Sequence, residues 1–118
     1  MSGIVNFLSG VSAEDAVAAD YERRGMPVVA KRWRGSRGEI DLVARDGDGF
    51  VFVEVKKSKT IARAAQRLSM AQLGRICNTA LEFVAGQPMG QLTEMRFDFA
   101  RVDGQGRFDI LENATQLT

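Results

Sequence analysis

Residues 38–59, GEIDLVARDGDGFVFVEVKKSK, decide the fold. Glu39 to Arg45 and Phe50 to Lys56 have the alternating or β-branched composition of strands, and Asp46-Gly-Asp-Gly49 between them is turn chemistry. The stretch therefore predicts a hairpin. Side chains alternate faces along a strand, so Glu54 and Lys56 share a face, Glu39 and Asp41 share a face, and Val53 and Val55 point the other way. With a four-residue connection, Arg45 pairs with Phe50, which sets Asp41 opposite Glu54 and Glu39 opposite Lys56. Opposed Cβ atoms in a sheet lie roughly 4.5–5.5 Å apart. Two carboxylates at that spacing destabilise a sheet unless one is protonated or a cation sits between them. A divalent metal with oxygen ligands resolves the conflict. The alternative is a solvated outer face on which Glu39 and Lys56 form a surface ion pair, and a three-residue loop would turn Asp41 away from Glu54.

Outward from the hairpin, the chain reads as αβββαββ. Ser12-Ala-Glu-Asp15 is a capping box opening a helix that ends near Arg24, with Gly25 just past it. A strand follows from Val28 to Arg34, then the turn Gly35-Ser-Arg-Gly38. Residues 57–68 are basic and irregular, a mobile loop or a short helix. Ser69-Met-Ala-Gln72 is a second capping box, after which Leu73, Ile76, Cys77, Ala80, Leu81 and Val84 recur at helical spacing up to Gly86 and Pro88. Met95 to Arg101 and Arg107 to Leu111 read as two more strands. The expected class is α/β (α+β): a mixed sheet with helices packed on it, in one domain spanning 1–118.

Composition narrows the chemistry. Of 118 residues, 45% are hydrophobic and 26% charged, a globular balance. No run approaches the eighteen or so apolar residues that span a membrane, and the apolar start MSGIVNFL is too short and lacks the basic residues of a signal peptide. One cysteine, Cys77, fits a reducing cytoplasm and reads as core, and Asn113-Ala-Thr is a chance sequon. With no histidine and a single cysteine, a structural zinc site, a Ser-His-Asp triad and a Cys-His pair are excluded within this chain. Hydrolysis here must rely on carboxylates, a lysine, water and a hard oxygen-loving metal such as Mg²⁺ or Mn²⁺.

Net charge is +1, yet the charges are segregated. Six basic residues and no acid lie between Arg23 and Arg37, and six more with no acid lie between Val55 and Leu81. Both tracts flank the acidic hairpin, while residues 82–118 hold six acids against three bases. Basic flanks around a small acidic centre suit a polyanion that must approach a metal. Lys31, Arg32, Arg34 and Arg37 on one side, and Lys57, Lys59, Arg63, Arg67 and Arg75 on the other, are the expected nucleic-acid contacts. Trp33, among the first group, could stack on a base or simply pack.

An aspartate on one strand and E-x-K on the next resemble the PD-(D/E)XK nucleases, the restriction-endonuclease-like superfamily. In more detail, the chain resembles the YraN-like (UPF0102) family of predicted endonucleases, distantly related to archaeal Holliday junction resolvases. The likeness runs from about Gly10 to Ile110 and includes Ala13-Glu14, Gly25, Lys31-Arg-Trp-Arg34, Gly38-Glu-Ile-Asp-Leu-Val-Ala44, Phe52-Val-Glu-Val-Lys56 and Arg96-Phe-Asp98.

That resemblance implies a restriction-endonuclease-like core and a metal-dependent endonuclease acting on DNA phosphodiesters, with branched or flapped DNA as a candidate substrate. Asp41 and Glu54 become the metal ligands together with the Val55 main-chain carbonyl, and Lys56 orients the attacking water or neutralises charge on the phosphate. Glu14 would complete or orient the metal's surroundings, although a first-turn acid also simply favours the helix dipole. Glu39 either backs the ligands or only pairs with Lys56, and Gln72 is the polar residue expected near such a site. DNA is the partner implied; a homodimer is left open and a membrane is not expected. Two departures stand out. Ser58 replaces an arginine usual in relatives, and Gln72-Leu-Gly-Arg75 replaces a Lys-Gln-Arg-Arg stretch. They support the other reading, a non-catalytic nucleic-acid-binding or scaffolding domain that keeps the fold.

Overall fold

In the computed structural model, which describes residues 13–114, β1 (Val28–Arg34), β2 (Glu39–Asp46), β3 (Gly49–Lys57), β4 (Met95–Val102) and β5 (Phe108–Leu111) form one sheet in that order. All pairs are antiparallel except β3–β4. A parallel pair cannot be joined by a tight turn, so the chain crosses over through two helices, α2 (Ile61–Ala65) and α3 (Met70–Ala85), and one 3₁₀ turn at Gly90–Leu92. A third helix, α1 (Ala13–Arg23), precedes the sheet. This mixed five-stranded sheet flanked by helices is the architecture expected from the sequence, with a short helix settled within 57–68.

Burial explains why the elements stack as they do. Val17, Ala18 and Tyr21 of α1 pack on Leu42, Ala44, Val51, Val53, Ala100 and Val102, on one face. Ile76, Ala80 and Val84 of α3 pack on Val43, Phe50 and Phe52, on the other. β3 is covered on both sides, so Gly49 to Glu54 are all buried. Fully buried Phe52 contributes about 2–3 kcal/mol by burial. Trp33 belongs to this second core, edge-on to Phe83 at 5.3 Å, so it packs rather than waiting to stack on a base. Cys77 is only half-buried.

The helix ends follow local rules. Gly25 takes the left-handed conformation (φ +82°) that closes α1, as a residue without Cβ can. Ser69 caps α3 by accepting the Gln72 N–H at 3.1 Å. Only half of the expected capping box forms, because the Gln72 side chain turns towards Glu54 instead. Ser12, read as the first cap, lies outside the described residues. None of the described helices is long and apolar enough to cross a membrane.

The hairpin register matches the sequence, with one change at the turn. Arg45 pairs with Phe50, but Asp46 also pairs with Gly49, so the turn is the two residues Gly47-Asp48, and Gly47 has φ +59°. Pairing runs in register to Leu42–Val53 and stops one step before Asp41 and Glu54. Pairing of β2 with β1 likewise steps from Lys31–Leu42 to Trp33–Ile40, and Arg32 between them has φ +50°. The sheet is thus distorted around Asp41 on both sides. Ile40 and Val43 consequently face the same core, breaking strict alternation along β2.

Candidate active site

Where the β2–β3 ladder ends, side chains replace the main chain. The Val55 N–H donates to Asp41 Oδ2 at 2.7 Å, a bond that strand pairing would otherwise give to a carbonyl. This anchors Asp41 against β3 beside Glu54. Glu54 follows Phe52 on the α3 side of the sheet and is 6% exposed. Gln72 Nε2, in the first turn of α3, donates to Glu54 Oε2 at 2.8 Å, and the Glu54 carboxyl also hydrogen-bonds Asp41.

The electrostatics follow from that burial. Desolvation first, then the hydrogen bond and negative charge of Asp41, push the Glu54 carboxyl up to about 9. Lys56 and the Val55 N–H pull in the opposite direction without reversing it. Burial beside Asp41 therefore favours the protonated form of Glu54, the expected response to two carboxylates brought together.

These groups open onto a cavity of about 280 Å³ lined by Gly38, Glu39, Asp41, Glu54, Lys56, Gln72, Arg75 and Ile76. Sequence reading placed Asp41, Glu54, Lys56, Glu39, Gln72 and Arg75 in or near a site, and all six meet there. Glu39, however, is not the partner of Lys56. It sits opposite Arg34 in the β1–β2 ladder and takes its Nη2 at 3.1 Å. The reason is register: β2 leaves β3 before reaching Lys56 but stays paired with β1 through Glu39. Glu14 is not among the residues lining the cavity. It rides on α1, against the opposite face of the sheet, and its carboxylate takes Arg32 Nε at 3.3 Å. Among the described residues no three His, Cys, Asp or Glu side chains gather to hold a metal; of the three carboxylates lining this cavity, Glu39 is taken up by Arg34, which leaves Asp41 and Glu54 as the adjacent pair.

The two basic tracts differ in a way the sequence does not disclose. On β1, Lys31 pairs with Asp15 at 3.0 Å, Arg32 with Glu14 and Arg34 with Glu39. In the second tract, Lys57, Lys59, Arg63, Arg67 and Arg75 have no carboxylate within ion-pair distance among the described residues. Arg67 Nη1 instead donates to the Lys57 carbonyl at 2.7 Å, which folds the α2 segment back on the end of β3. Of these five cations Arg75 lines the cavity. Arg37 faces Glu82 electrostatically but forms no ion pair among the described residues.

Two groups were given no role by the sequence reading. Asp98 on β4, fully buried, accepts the Tyr21 hydroxyl at 2.6 Å, Arg96 Nε at 3.0 Å and the Asn113 N–H at 3.2 Å. It ties α1, β4 and the C-terminal turn together, and burial with the Asp98 contact raises the Tyr21 phenol. Thr79 and Glu82 continue the stripe begun by Gln72 and Arg75 along α3. Polar residues at helical spacing facing the sheet were the available signal.

The class defined so far is an α+β domain with a carboxylate pair and a lysine where two interior strands of a mixed sheet part. The model of the Uncharacterised protein family UPF0102 matches residues 13–112. A UPF0102 protein of Cereibacter sphaeroides (strain ATCC 17025) is 60% identical over 114 residues, covering 97% of each chain. One from Ruegeria pomeroyi is 57% identical over 112 residues, covering 95% of this chain and 91% of its own, and one from Dinoroseobacter shibae is 56% identical over 108, covering 92% and 81%. The chain belongs to the UPF0102 family.

Proposed function

We propose that the protein is a metal-dependent endonuclease that hydrolyses DNA phosphodiester bonds, built on a PD-(D/E)XK-like core. The observation that carries this reading is the buried Glu54 carboxyl in contact with Asp41, on the floor of a cavity that also holds Lys56. Two carboxylates side by side would suit a divalent cation, since Mg²⁺ is commonly bound through one or two carboxylates. Asp41, Glu54 and the Val55 carbonyl would hold the ion. Bound there, Mg²⁺ or Mn²⁺ supplies a water of lowered pKa and neutralises phosphate charge.

The chain's own groups do the rest. Gln72 fixes the rotamer of Glu54 through Oε2 and leaves the other oxygen for the cation. The Val55 N–H fixes Asp41. Lys56 brings a positive charge to the reacting phosphate and orients the water. Arg75 at the cavity wall, with Lys57, Lys59, Arg63 and Arg67 beyond, holds the neighbouring backbone. A non-catalytic nucleic-acid-binding domain is the second reading, favoured by the Gln72 amide on Glu54 Oε2 and by Ser58 after the lysine. Incubation with linear, flapped and four-way DNA in Mn²⁺ and in chelator separates them. Cleavage in Mn²⁺ alone supports the nuclease. Binding without cleavage supports the second reading.

A further inference from the structure

The turn Gly35-Ser-Arg-Gly38 between β1 and β2 is closed by its own bond, Gly35 N–H to the Gly38 carbonyl at 2.9 Å. It is nevertheless clamped to α3 at two further levels. Ser36 gives both its N–H, at 2.8 Å, and its hydroxyl to the Glu82 carboxylate. Gly38 is pressed against Thr79, whose Oγ1 would lie 3.2 Å from a Cβ there and which itself donates to the Arg75 carbonyl at 2.8 Å. Gly35 is equally constrained, since a Cβ would run into the Glu82 carboxylate.

Arg37 lies between the two clamped neighbours, Ser36 and Gly38. Its backbone is fixed while its side chain is exposed and has no ion pair among the described residues. Gly38 lines the cavity that holds Asp41, Glu54 and Lys56, and Arg37 is its immediate neighbour in the chain. A carboxylate beside this turn is unfavourable for a surface that receives a polyanion. Its two bonds to Ser36 indicate that it serves geometry rather than charge.

We propose that Glu82 is a positioning residue: by clamping Ser36 it holds Arg37, next in the chain to the cavity-lining Gly38, as a fixed anchor for a phosphate of the bound strand. This rests on the nucleic-acid reading above. A charge-only role and a positioning role predict opposite signs. Removing a carboxylate beside a polyanion raises affinity if charge alone matters. Releasing Arg37 lowers it.

The test is affinity for a duplex oligonucleotide in chelator, as a function of salt, for the full chain and for Glu82→Gln, Ser36→Ala, Arg37→Ala and the double variant Glu82→Gln/Arg37→Ala. Glu82→Gln and Arg37→Ala are each expected to weaken binding about tenfold, the loss of one charge-assisted hydrogen bond. Arg37→Ala should make the log–log salt slope shallower by about 0.9, one phosphate contact. The double variant should bind no worse than Arg37→Ala, because Glu82 acts through Arg37. Ser36→Ala, which leaves the charge unchanged, should weaken binding in the same direction and serves alone if Glu82→Gln does not fold. Affinity unchanged or raised in Glu82→Gln, or losses that add in the double variant, overturns the proposal. Wild type that binds no DNA in chelator overturns it together with the nuclease reading, whereas wild type that binds while the variants do not weaken overturns the clamp alone.

Discussion

Replacing Glu54 by glutamine should stabilise the protein in the absence of metal, and by an amount that depends on pH. In the native state the carboxyl titrates at about 9, against an ordinary value of 4.5. Between those limits the native chain holds a proton that the unfolded chain has released. Stability therefore falls as pH rises through the window and is level on either side of it. The slope for one proton is about 1.4 kcal/mol per pH unit, so near pH 7 the accumulated cost is about 3 kcal/mol. Glutamine keeps the shape, can donate to Asp41 as the protonated acid does, and does not titrate. The variant should match wild type near pH 4.5 and melt about 10 °C higher at pH 7, given the usual entropy of unfolding for a domain of this size. Thermal unfolding followed by circular dichroism in chelator at several pH values measures the gap. A constant gap across pH, or a variant less stable than wild type at pH 8, refutes the buried protonated carboxyl.

Mn²⁺ should raise the melting temperature of wild type and leave Asp41→Ala unmoved, because an ion bound only by the native state stabilises it; equal shifts in both refute the ligand assignment. Lys59→Ala and Arg67→Ala should weaken binding to all DNA sequences alike, whereas Arg32→Ala, already paired with Glu14, should do so less; competition binding with unrelated sequences checks the order. Gly74→Ala should stabilise by about 1 kcal/mol without changing DNA affinity, since Gly74 is exposed within α3 and no atom lies within 4 Å of a Cβ placed there; denaturant unfolding measures it.

The hairpin was legible because period-two patterning and a Gly-rich turn act locally, and Arg45–Phe50 followed from them. The partner of Glu39 was not, because it depends on where β2 leaves β3, which the distortion at Asp41 and Arg32 decides. Gln72 was visible as a capping residue, and its use at Glu54 depends on how α3 lies on the sheet. The basic tracts looked equivalent along the chain. Only the packing of α1 beside β1 brings Glu14 and Asp15 to the first, while the second has no ion pair among the described residues. The clamp at Glu82 joins residues 46 positions apart, beyond any local pattern.

The central claim, that Asp41, Glu54 and Lys56 form a metal-dependent phosphodiesterase site, is tested most directly by measuring cleavage in Mn²⁺ and binding in chelator for wild type, Glu54→Ala and Lys56→Ala. Lys56→Ala should bind DNA nearly as wild type does and cleave none. Glu54→Ala, which removes an acidic side chain from the floor of the site, should bind at least as tightly and also cleave none. Undiminished cleavage by Glu54→Ala contradicts the account, because no other carboxylate on β3 can take its place.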